Sequence, residues 1–159
     1  MKHTTCYISS FSILFLLFVS FHVISGEVNI SEKRNSMITM AKKYMGTKYI
    51  EGGASPAGFD CSGFVMYIYK RFNIQLPRTC REQFKAGKEI TVAEALPGDI
   101  VCFKTYKDII SHVGIYIGNS EFIHAAYKGK GIRIDSINDK YYWKEKFFAV
   151  VRIEALDSN

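Results

Sequence analysis

Several features that define particular protein classes are missing from this chain of 159 residues. No CxxC or HxxxH pair is present, and since such pairs are typical of zinc sites, we expect no metal and no cofactor. The sequence has no internal repeat, and its 48% apolar and 23% charged residues exclude intrinsic disorder. The net charge of +6 favours anionic partners, but no long basic run accompanies it, so we expect no nucleic-acid binding.

The N-terminal segment lacks charge. Residues 3–26 contain no Asp, Glu, Lys or Arg, and residues 11–19 are almost wholly apolar. A basic start, a short apolar centre and small residues at the end are typical of a signal peptide, so we expect residues 1–26 to direct export to the periplasm, cell envelope or medium. The alternative is an uncleaved membrane anchor, because the apolar stretch approaches the roughly 20 residues that span a bilayer. We expect membrane contact only if the segment is retained.

The remaining residues, 27–159, are enough for one compact domain, and we expect a monomer. Apolar residues at helical spacing predict a helix from residue 31 to Gly46 and a second helix that opens at Cys61. Between them, the glycine-rich residues 47–60 predict an irregular loop. The capping-box spacing from Thr79 to Glu82 predicts a short third helix.

The second half of the domain has the composition of β-strands. Short segments rich in β-branched and aromatic residues are separated by turns. These segments are residues 100–103, 112–117, 121–126, 131–134 and 147–153. Helices followed by strands predict an α+β fold, in which N-terminal helices pack on one side of an antiparallel sheet of about five strands.

Three cysteines lie beyond the apolar segment: Cys61, Cys80 and Cys102. This odd number leaves at least one thiol unpaired in an exported chain. Cys61 lies where the second helix begins, and the helix dipole and free N–H groups there lower the pKa of a thiol. Neighbouring glycines would let backbone and substrate approach its sulfur. The alternative is that Cys61 is a small buried apolar residue.

A thiol nucleophile needs a base, and residues 27–159 contain only two histidines, His112 and His124. They lie on two predicted strands joined by a turn at residues 118–120, about three residues out of direct register. They can therefore occupy neighbouring positions on one face of the sheet, although the turn type decides the face. One histidine would accept the thiol proton and the other would orient the first. The alternative is one ordinary strand residue and one surface residue.

Six sequence blocks carry a resemblance to a known family. The blocks are Tyr49-Ile-Glu-Gly-Gly53, residues 55–65, Leu76-Pro-Arg-Thr79, Pro97-Gly-Asp99, residues 112–118 and Phe122-Ile-His-Ala125. In this order they resemble the signature blocks of the NlpC family of papain-like cell-wall cysteine peptidases. The resemblance spans nearly all of residues 27–159 and implies a papain-like fold.

The resemblance implies roles for three catalytic residues. Cys61 matches the nucleophile, His112 the general base, and His124 the third polar residue, which orients the base. The implied function is that of an exported cysteine peptidase that hydrolyses stem or cross-link peptides of bacterial peptidoglycan, next to γ-D-glutamate or meso-diaminopimelate. Two alternatives stay open: an amidase or acyltransferase that acts on another secreted amide, and a catalytically silent wall-binding module.

The resemblance also implies a substrate site. Tyr49 matches a tyrosine that shapes this site near the thiol, and Asp60 and Ser62 match positions that can bind the free amine of the substrate. Alternatively, Tyr49 is ordinary packing and Ser62 caps the helix. Cys80 stands where the family more often has serine or another small polar residue, and Cys102 where a bulkier apolar residue is usual. We expect both to be buried small residues, with a Cys80–Cys102 disulfide as the alternative.

Overall fold

The structure is a computed structural model that describes residues 30–127 and 129–158. The predicted signal segment, residues 1–26, lies outside the described residues, so export and the bounds of the domain stay predictions. Within the described part of the chain, no helix is long and apolar enough to cross a membrane.

Three helices precede the main sheet. They are α1 (residues 30–42), α2 (Cys61–Lys70) and α3 (Cys80–Lys85). The carboxylate of Asp60 caps α2 by accepting a 2.7 Å hydrogen bond from the Gly63 backbone, and the hydroxyl of Thr79 caps α3. These helices confirm the predictions from apolar spacing and capping, except that α1 ends before Gly46 and residues 43–46 form turns.

The sequence predicted an irregular loop between α1 and α2. That prediction was wrong in part, because the segment contains a small hairpin. Strand β1 (Ala54–Ser55) pairs antiparallel with β2 (Gly58–Phe59). Two-residue strands are too short to produce an alternating pattern in the sequence. Gly63 of α2 lies against this hairpin, because a Cβ on Gly63 would come 2.1 Å from the carbonyl oxygen of Gly53. This glycine therefore serves the packing of the hairpin on α2, which differs from the expected role of opening a path to the sulfur.

The main sheet has six antiparallel strands in the order β3-β8-β4-β5-β6-β7. The strands are β3 (Lys88–Ile90), β4 (Ile100–Phe103), β5 (His112–Gly118), β6 (Glu121–Ala126), β7 (Gly131–Ser136) and β8 (Phe147–Arg152). All five predicted strands are present, with ends that differ by at most two residues. The edge strand β3 was missed, as was a one-turn helix, α4 (Trp143–Lys146).

The sheet has a buried cluster on each face. The first cluster joins α1 and α2 to one face and includes Met37, Phe64, Ile68, Ile100, Val113, Ile115, Ile123 and Val151. The second covers the other face and consists of Val101, Phe103, Tyr116, Phe122, Ile137, Trp143 and Val150. The predicted α+β class with N-terminal helices on one side of an antiparallel sheet is confirmed, and α4 adds Trp143 to the opposite face.

A buried ion network ties α1 to the sheet. Arg34 of α1 is 3% exposed, and it donates to the carboxylate of Asp99 at 3.0 Å and to the backbone oxygen of Pro97 at 2.7 Å. Arg152 of β8 donates to the other oxygen of Asp99 at 2.8 Å. Buried charges of this kind are tolerated only when they are paired. The Pro-Gly-Asp turn is therefore an anchor that fixes where β4 begins.

Candidate active site

Cys61 is the first residue of α2, and its side chain is buried with 8% exposure. The pKa of its thiol lies well below the ordinary value. The largest cause is a hydrogen bond from the thiol of Cys80, whose Sγ is 3.5 Å from the Sγ of Cys61. The positive charge and hydrogen bond of His112 and the backbone N–H of Val113 act in the same direction, whereas burial opposes them. These contacts favour the thiolate over the neutral thiol.

The two histidines meet on one face of the sheet. Nε2 of His112 lies 2.8 Å from Nδ1 of His124, and the two rings are nearly perpendicular, at 84°. Strands β5 and β6 pair with Ile115 opposite Ile123, and a bulge at the end of β5 sets this register. The sequence did not decide whether the two histidines share a face of the sheet, because that depends on the turn. The bulge in the hairpin places them on the same face.

Gly114 makes room for the second histidine. It lies between the two histidines on the same face of the hairpin. A Cβ on Gly114 would come 2.7 Å from the ring of Phe122 and 3.0 Å from the Cβ of His124. The shorter distance requires the Phe122 ring to shift, and this ring packs against the His124 ring with their centroids 4.7 Å apart. A side chain at position 114 would therefore disturb the packing that holds His124.

Asp135 of β7 extends the chain of contacts beyond the two histidines. Its Oδ2 lies 3.1 Å from Nε2 of His124 and accepts a 2.9 Å hydrogen bond from Nε1 of Trp143. Arg133 pairs with its other oxygen. Burial raises the pKa of Asp135, but the hydrogen bonds from His124 and Trp143 outweigh it and lower the pKa to about 2. Asp135 is therefore an anion behind His124, a position that the sequence reasoning missed.

These contacts determine which nitrogens carry protons. Burial lowers the pKa of His124 to about 4, so this imidazole is neutral at neutral pH. A carboxylate only accepts, so Nε2 of His124 must carry its proton and donate to Asp135. Nδ1 of His124 is then an acceptor and binds the N–H on Nε2 of His112. This leaves Nδ1 of His112 for the sulfur, as a base requires.

Asp60 and Ser62 lie in a network of their own beside α2. The Asp60 carboxylate accepts hydrogen bonds from the Gly52 and Gly63 backbones and forms an ion pair with Arg78. Arg78 also donates to the Ser62 hydroxyl at 2.9 Å. Both oxygens of Asp60 therefore have partners within the protein, and a substrate amine that binds Asp60 would have to share it with Arg78. Arg78 was not predicted as a site residue. Its position in the family block Leu76-Pro-Arg-Thr79 was the sequence feature that could have indicated a role in the site.

An open cleft of about 790 Å³ runs past the sulfur. Aromatic and charged side chains line it together with Cys61 and His112; they are Tyr49, Tyr106, Tyr127, Tyr142, Trp143, Lys130, Arg133, Asp135 and Asp139. Burial raises the pKa of Tyr49 to about 12, so its hydroxyl stays protonated and can donate a hydrogen bond. Asp60 and Ser62 are not among the residues that line this cleft.

The two other cysteines among the described residues, Cys80 and Cys102, are both free. Cys102 is buried in β4, and burial raises its pKa to about 12. Cys80 is half-buried and faces Cys61, so the alternative of a Cys80–Cys102 disulfide is not realised. In the described part of the chain, no group of three or more His, Cys, Asp or Glu side chains is arranged to hold a metal ion.

Residues 46–152 match a family model described as the NlpC/P60 family. The chain is 43% identical over 114 residues to "Probable endopeptidase NlpC" of Escherichia coli. This match covers 70% of this chain and 73% of that relative. It is 38% identical over 125 residues to "Gamma-DL-glutamyl hydrolase" of Bacillus subtilis, with 77% of this chain and 29% of the relative covered.

Solved structures share the fold. A crystal structure of an NLP/P60 family protein from Staphylococcus aureus is similar with a TM-score of 0.70 and 35% identity, over 77% of this chain and 41% of that one. The chain spans only 19% to 29% of the length of five longer curated relatives. The match to the family model covers more than half of the chain, and the chain therefore belongs to the NlpC/P60 family.

Proposed function

We propose that the protein is a cysteine endopeptidase that hydrolyses peptide bonds in the stem or cross-link peptides of bacterial peptidoglycan. One observation carries the proposal: His112, His124 and Asp135 form a continuous chain of hydrogen bonds, and His112 lines the same open cleft as Cys61, whose thiol pKa it helps to lower. The names of its relatives, an endopeptidase and a γ-glutamyl hydrolase, support amide hydrolysis.

The residues suggest how the reaction proceeds. The thiolate of Cys61 attacks the scissile carbonyl, and His112 donates its Nδ1 proton to the leaving amine. Water then gives a proton to the same nitrogen and releases the acyl group from the sulfur. Backbone N–H groups in the first turn of α2 are suited to hold the oxyanion, because they have no partner within the helix.

His124 and Asp135 act behind the base. Nδ1 of His124 accepts a hydrogen bond from the Nε2–H of His112 and so keeps Nδ1 of His112 directed at the sulfur. The negative charge of Asp135 stabilises the positive charge that His112 carries while Cys61 is ionised. We assign His124 and Asp135 as positioning residues, since neither touches the sulfur.

Substrate binding is the next part of the proposal. Tyr49 lines the cleft as a hydrogen-bond donor and is suited to contact the peptide near the scissile bond. Asp60 and Ser62 are candidates for the substrate amine only if the amine shares them with Arg78. Their geometry favours an indirect role, in which they hold Arg78 beside the sulfur.

The bond and the location of the reaction complete the proposal. A bond next to γ-D-glutamate is supported by the B. subtilis relative named for γ-glutamyl hydrolysis, and a bond next to meso-diaminopimelate is the second candidate. Peptidoglycan lies outside the cytoplasm, so the proposal includes export by residues 1–26 and action of residues 27–159 as a monomer.

The test uses purified protein and peptidoglycan fragments, with new termini identified by mass spectrometry. The wild type and Cys102→Ala should release the same new amino and carboxyl termini, whereas Cys61→Ala should release none. The Cys102 variant is the matched control, because it also removes a buried thiol but lies outside the cleft. Products from Cys61→Ala, or none from the wild type, would contradict the proposal. New amide bonds in place of free carboxyl groups would instead favour an acyltransferase, and binding without products would favour a silent wall-binding module.

A further inference from the structure

The proposed reaction leaves one contact unused, the one between Cys61 and Cys80. Their sulfur atoms are 3.5 Å apart, and both thiols are free. The two residues are 19 positions apart in sequence and each is the first residue of its helix, α2 and α3. The contact therefore comes from the packing of two helices and not from adjacency along the chain.

The packing that holds this contact is fixed by a buried side chain. Gln83 of α3 is fully buried, and its amide nitrogen donates to the backbone oxygen of Ser62 in α2 and to that of Pro77, each at 2.9 Å. A buried amide with two such bonds is costly to displace. The first turns of α2 and α3 therefore stay next to each other, and the two sulfurs stay in contact.

A disulfide has an S–S distance of about 2.05 Å, so the two sulfurs need to approach by roughly 1.5 Å. Rotation of the Cys80 side chain, which is only partly buried, is a route for that approach. Cys102 is fully buried, so solvent oxidants reach it less easily than Cys61, which lines the cleft, or Cys80, which is only partly buried.

We propose that Cys61 and Cys80 are a redox pair, which a hydroperoxide converts into a reversible disulfide that blocks the nucleophile. The Cys61 thiolate attacks the terminal oxygen of the hydroperoxide, the O–O bond breaks, and Cys61 becomes a sulfenic acid. The departing hydroxide or alkoxide takes a proton from solvent and leaves as water or an alcohol. The Cys80 thiol then attacks the Cys61 sulfur. An S–S bond forms, the S–O bond breaks, and water leaves with the Cys80 proton.

The electrostatics of the pair fit these two steps. With Cys61 ionised, the pKa of Cys80 is raised, first by its hydrogen bond to the Cys61 sulfur and then by burial. Cys61 is therefore the thiol that meets the oxidant, and Cys80 waits in the protonated form. Conversion of Cys61 to a neutral sulfenic acid removes the negative charge that holds the proton on Cys80, and the guanidinium of Arg78 lies close enough to act on both sulfurs.

Cys80 would then protect the enzyme as well as silence it. Without a nearby thiol, a sulfenic acid proceeds under excess peroxide to sulfinic and sulfonic acids, which thiols do not reduce. With Cys80 in contact, the disulfide forms first, and two equivalents of a small thiol restore both cysteines. The loss of activity rests on the proposed role of Cys61 as nucleophile, whereas formation of the disulfide does not.

The experiment compares the wild type with Cys80→Ala and the matched variant Cys102→Ala. Each full-length protein is treated with hydrogen peroxide, divided, and half is reduced with dithiothreitol. Mass spectrometry of the digested protein measures the cross-link between residues 61 and 80, and turnover of peptidoglycan fragments is measured relative to each variant before treatment. Cys80→Ser is a second variant, which keeps a hydrogen-bond donor near Cys61 if the alanine variant does not fold.

The wild type and Cys102→Ala should show the 61–80 cross-link, lose activity with peroxide and regain most of it on reduction. The Cys80 variants should gain two or three oxygen atoms on Cys61 and stay inactive. Oxygen addition without a cross-link in the wild type, or full recovery of a Cys80 variant, would overturn the redox pair. If the untreated wild type has no activity, the peptidase proposal fails, and the cross-link still decides this one.

Discussion

Replacement of Asp135 by asparagine removes one negative charge from the far end of the contacts that lead from Cys61 through the two histidines. The side chain keeps its size and can still accept a hydrogen bond from Nε2 of His124. What is lost is the electrostatic stabilisation of the positive charge that His112 carries while the sulfur is ionised. We expect the pKa of Cys61 in the Asp135→Asn variant to lie closer to its ordinary value, so the thiolate is lost at a higher pH than in the wild type as pH falls.

The magnitude follows from Coulomb's law. The hydrogen bonds of 3.1 Å and 2.8 Å, with the His124 ring between them, put the Asp135 carboxylate roughly 7 Å from the His112 ring. One charge at that distance contributes between about 0.6 and 2.4 kcal/mol for effective dielectric constants of about 80 and 20. The Asp135 side chain is 15% exposed beside an open cleft, so we take about 1 kcal/mol. At pH values below the midpoint of the Cys61 titration, this energy corresponds to a roughly fivefold change in the amount of thiolate and in the rate of its alkylation.

The assay is the rate at which iodoacetamide alkylates Cys61 as a function of pH, with the site of alkylation identified by mass spectrometry. Asp139→Asn is the matched control, because Asp139 lines the same cleft and loses the same charge, but its side chain bonds to the Tyr141 backbone. The rise of the alkylation rate with pH should lie about 0.7 pH unit higher for Asp135→Asn than for the wild type, which makes the variant react about fivefold more slowly at pH values below the midpoint. Asp139→Asn should change less. Equal rates for the wild type and Asp135→Asn, or equal losses in the two variants, would refute the reasoning.

Three further predictions concern stability and geometry. The pKa of His124 is about 4 in the fold against an ordinary 6.5, so the unfolded chain takes up this proton first as pH falls. Urea unfolding should therefore show a loss of up to about 3 kcal/mol between pH 6.5 and pH 4 that His124→Gln lacks. Asp99→Asn removes the fully buried carboxylate that pairs with both Arg34 and Arg152, and it leaves the buried Arg34 only its ion pair with Asp157. This change should cost about 3 kcal/mol of unfolding free energy, whereas the exposed Asp108→Asn should cost less than about 0.5 kcal/mol. Gly114→Ala should push the Phe122 ring against His124 and lower kcat/KM on the order of 100-fold while circular dichroism stays unchanged; a normal kcat/KM would contradict the packing argument.

Local sequence patterns predicted most of the fold because they describe elements that bury one face. The helix at Cys61 and the strands β4 to β8 all contribute to the two clusters that cover the sheet. Strand β3 (Lys88–Ile90) escaped prediction because it is a three-residue edge strand with two charged residues. Its pairing with β8 joins residues some 60 positions apart, such as Lys88 and Arg152, and no local pattern reports such a contact.

Site residues of a rare type could be predicted from the sequence, whereas a site residue of a common type could not be told from its many equivalents. Cys61, His112 and His124 were singled out because free thiols and histidines are few in the chain. Asp135 alternates with apolar neighbours in β7 and therefore resembled an ordinary solvated strand position. Only the pairing of β6 with β7, which brings this carboxylate beside His124, reveals its part in the site.

Arg34 carried a signal that the sequence reasoning did not use. It precedes Met37, Ile38 and Ala41 by three, four and seven positions, so it lies on the apolar face of α1. A charged residue on that face needs a buried partner of opposite charge. Asp99, in the Pro-Gly-Asp turn, is that partner, and it could not be chosen from the other acidic residues without the tertiary structure.

The burial of Cys61 explains why so many groups surround one sulfur. With 8% exposure, the thiol would have a raised pKa in an apolar setting, which is what burial does to Cys102. Cys61 instead has donors on several sides, from Cys80, from His112 and from the backbone of Val113. Because burial always raises the pKa of the Cys61 thiol, the loss of any one hydrogen-bond donor raises that pKa further. Cys80, which was expected to be a mere small residue, is the largest of these contributors, and a serine there would keep a donor but could form no disulfide.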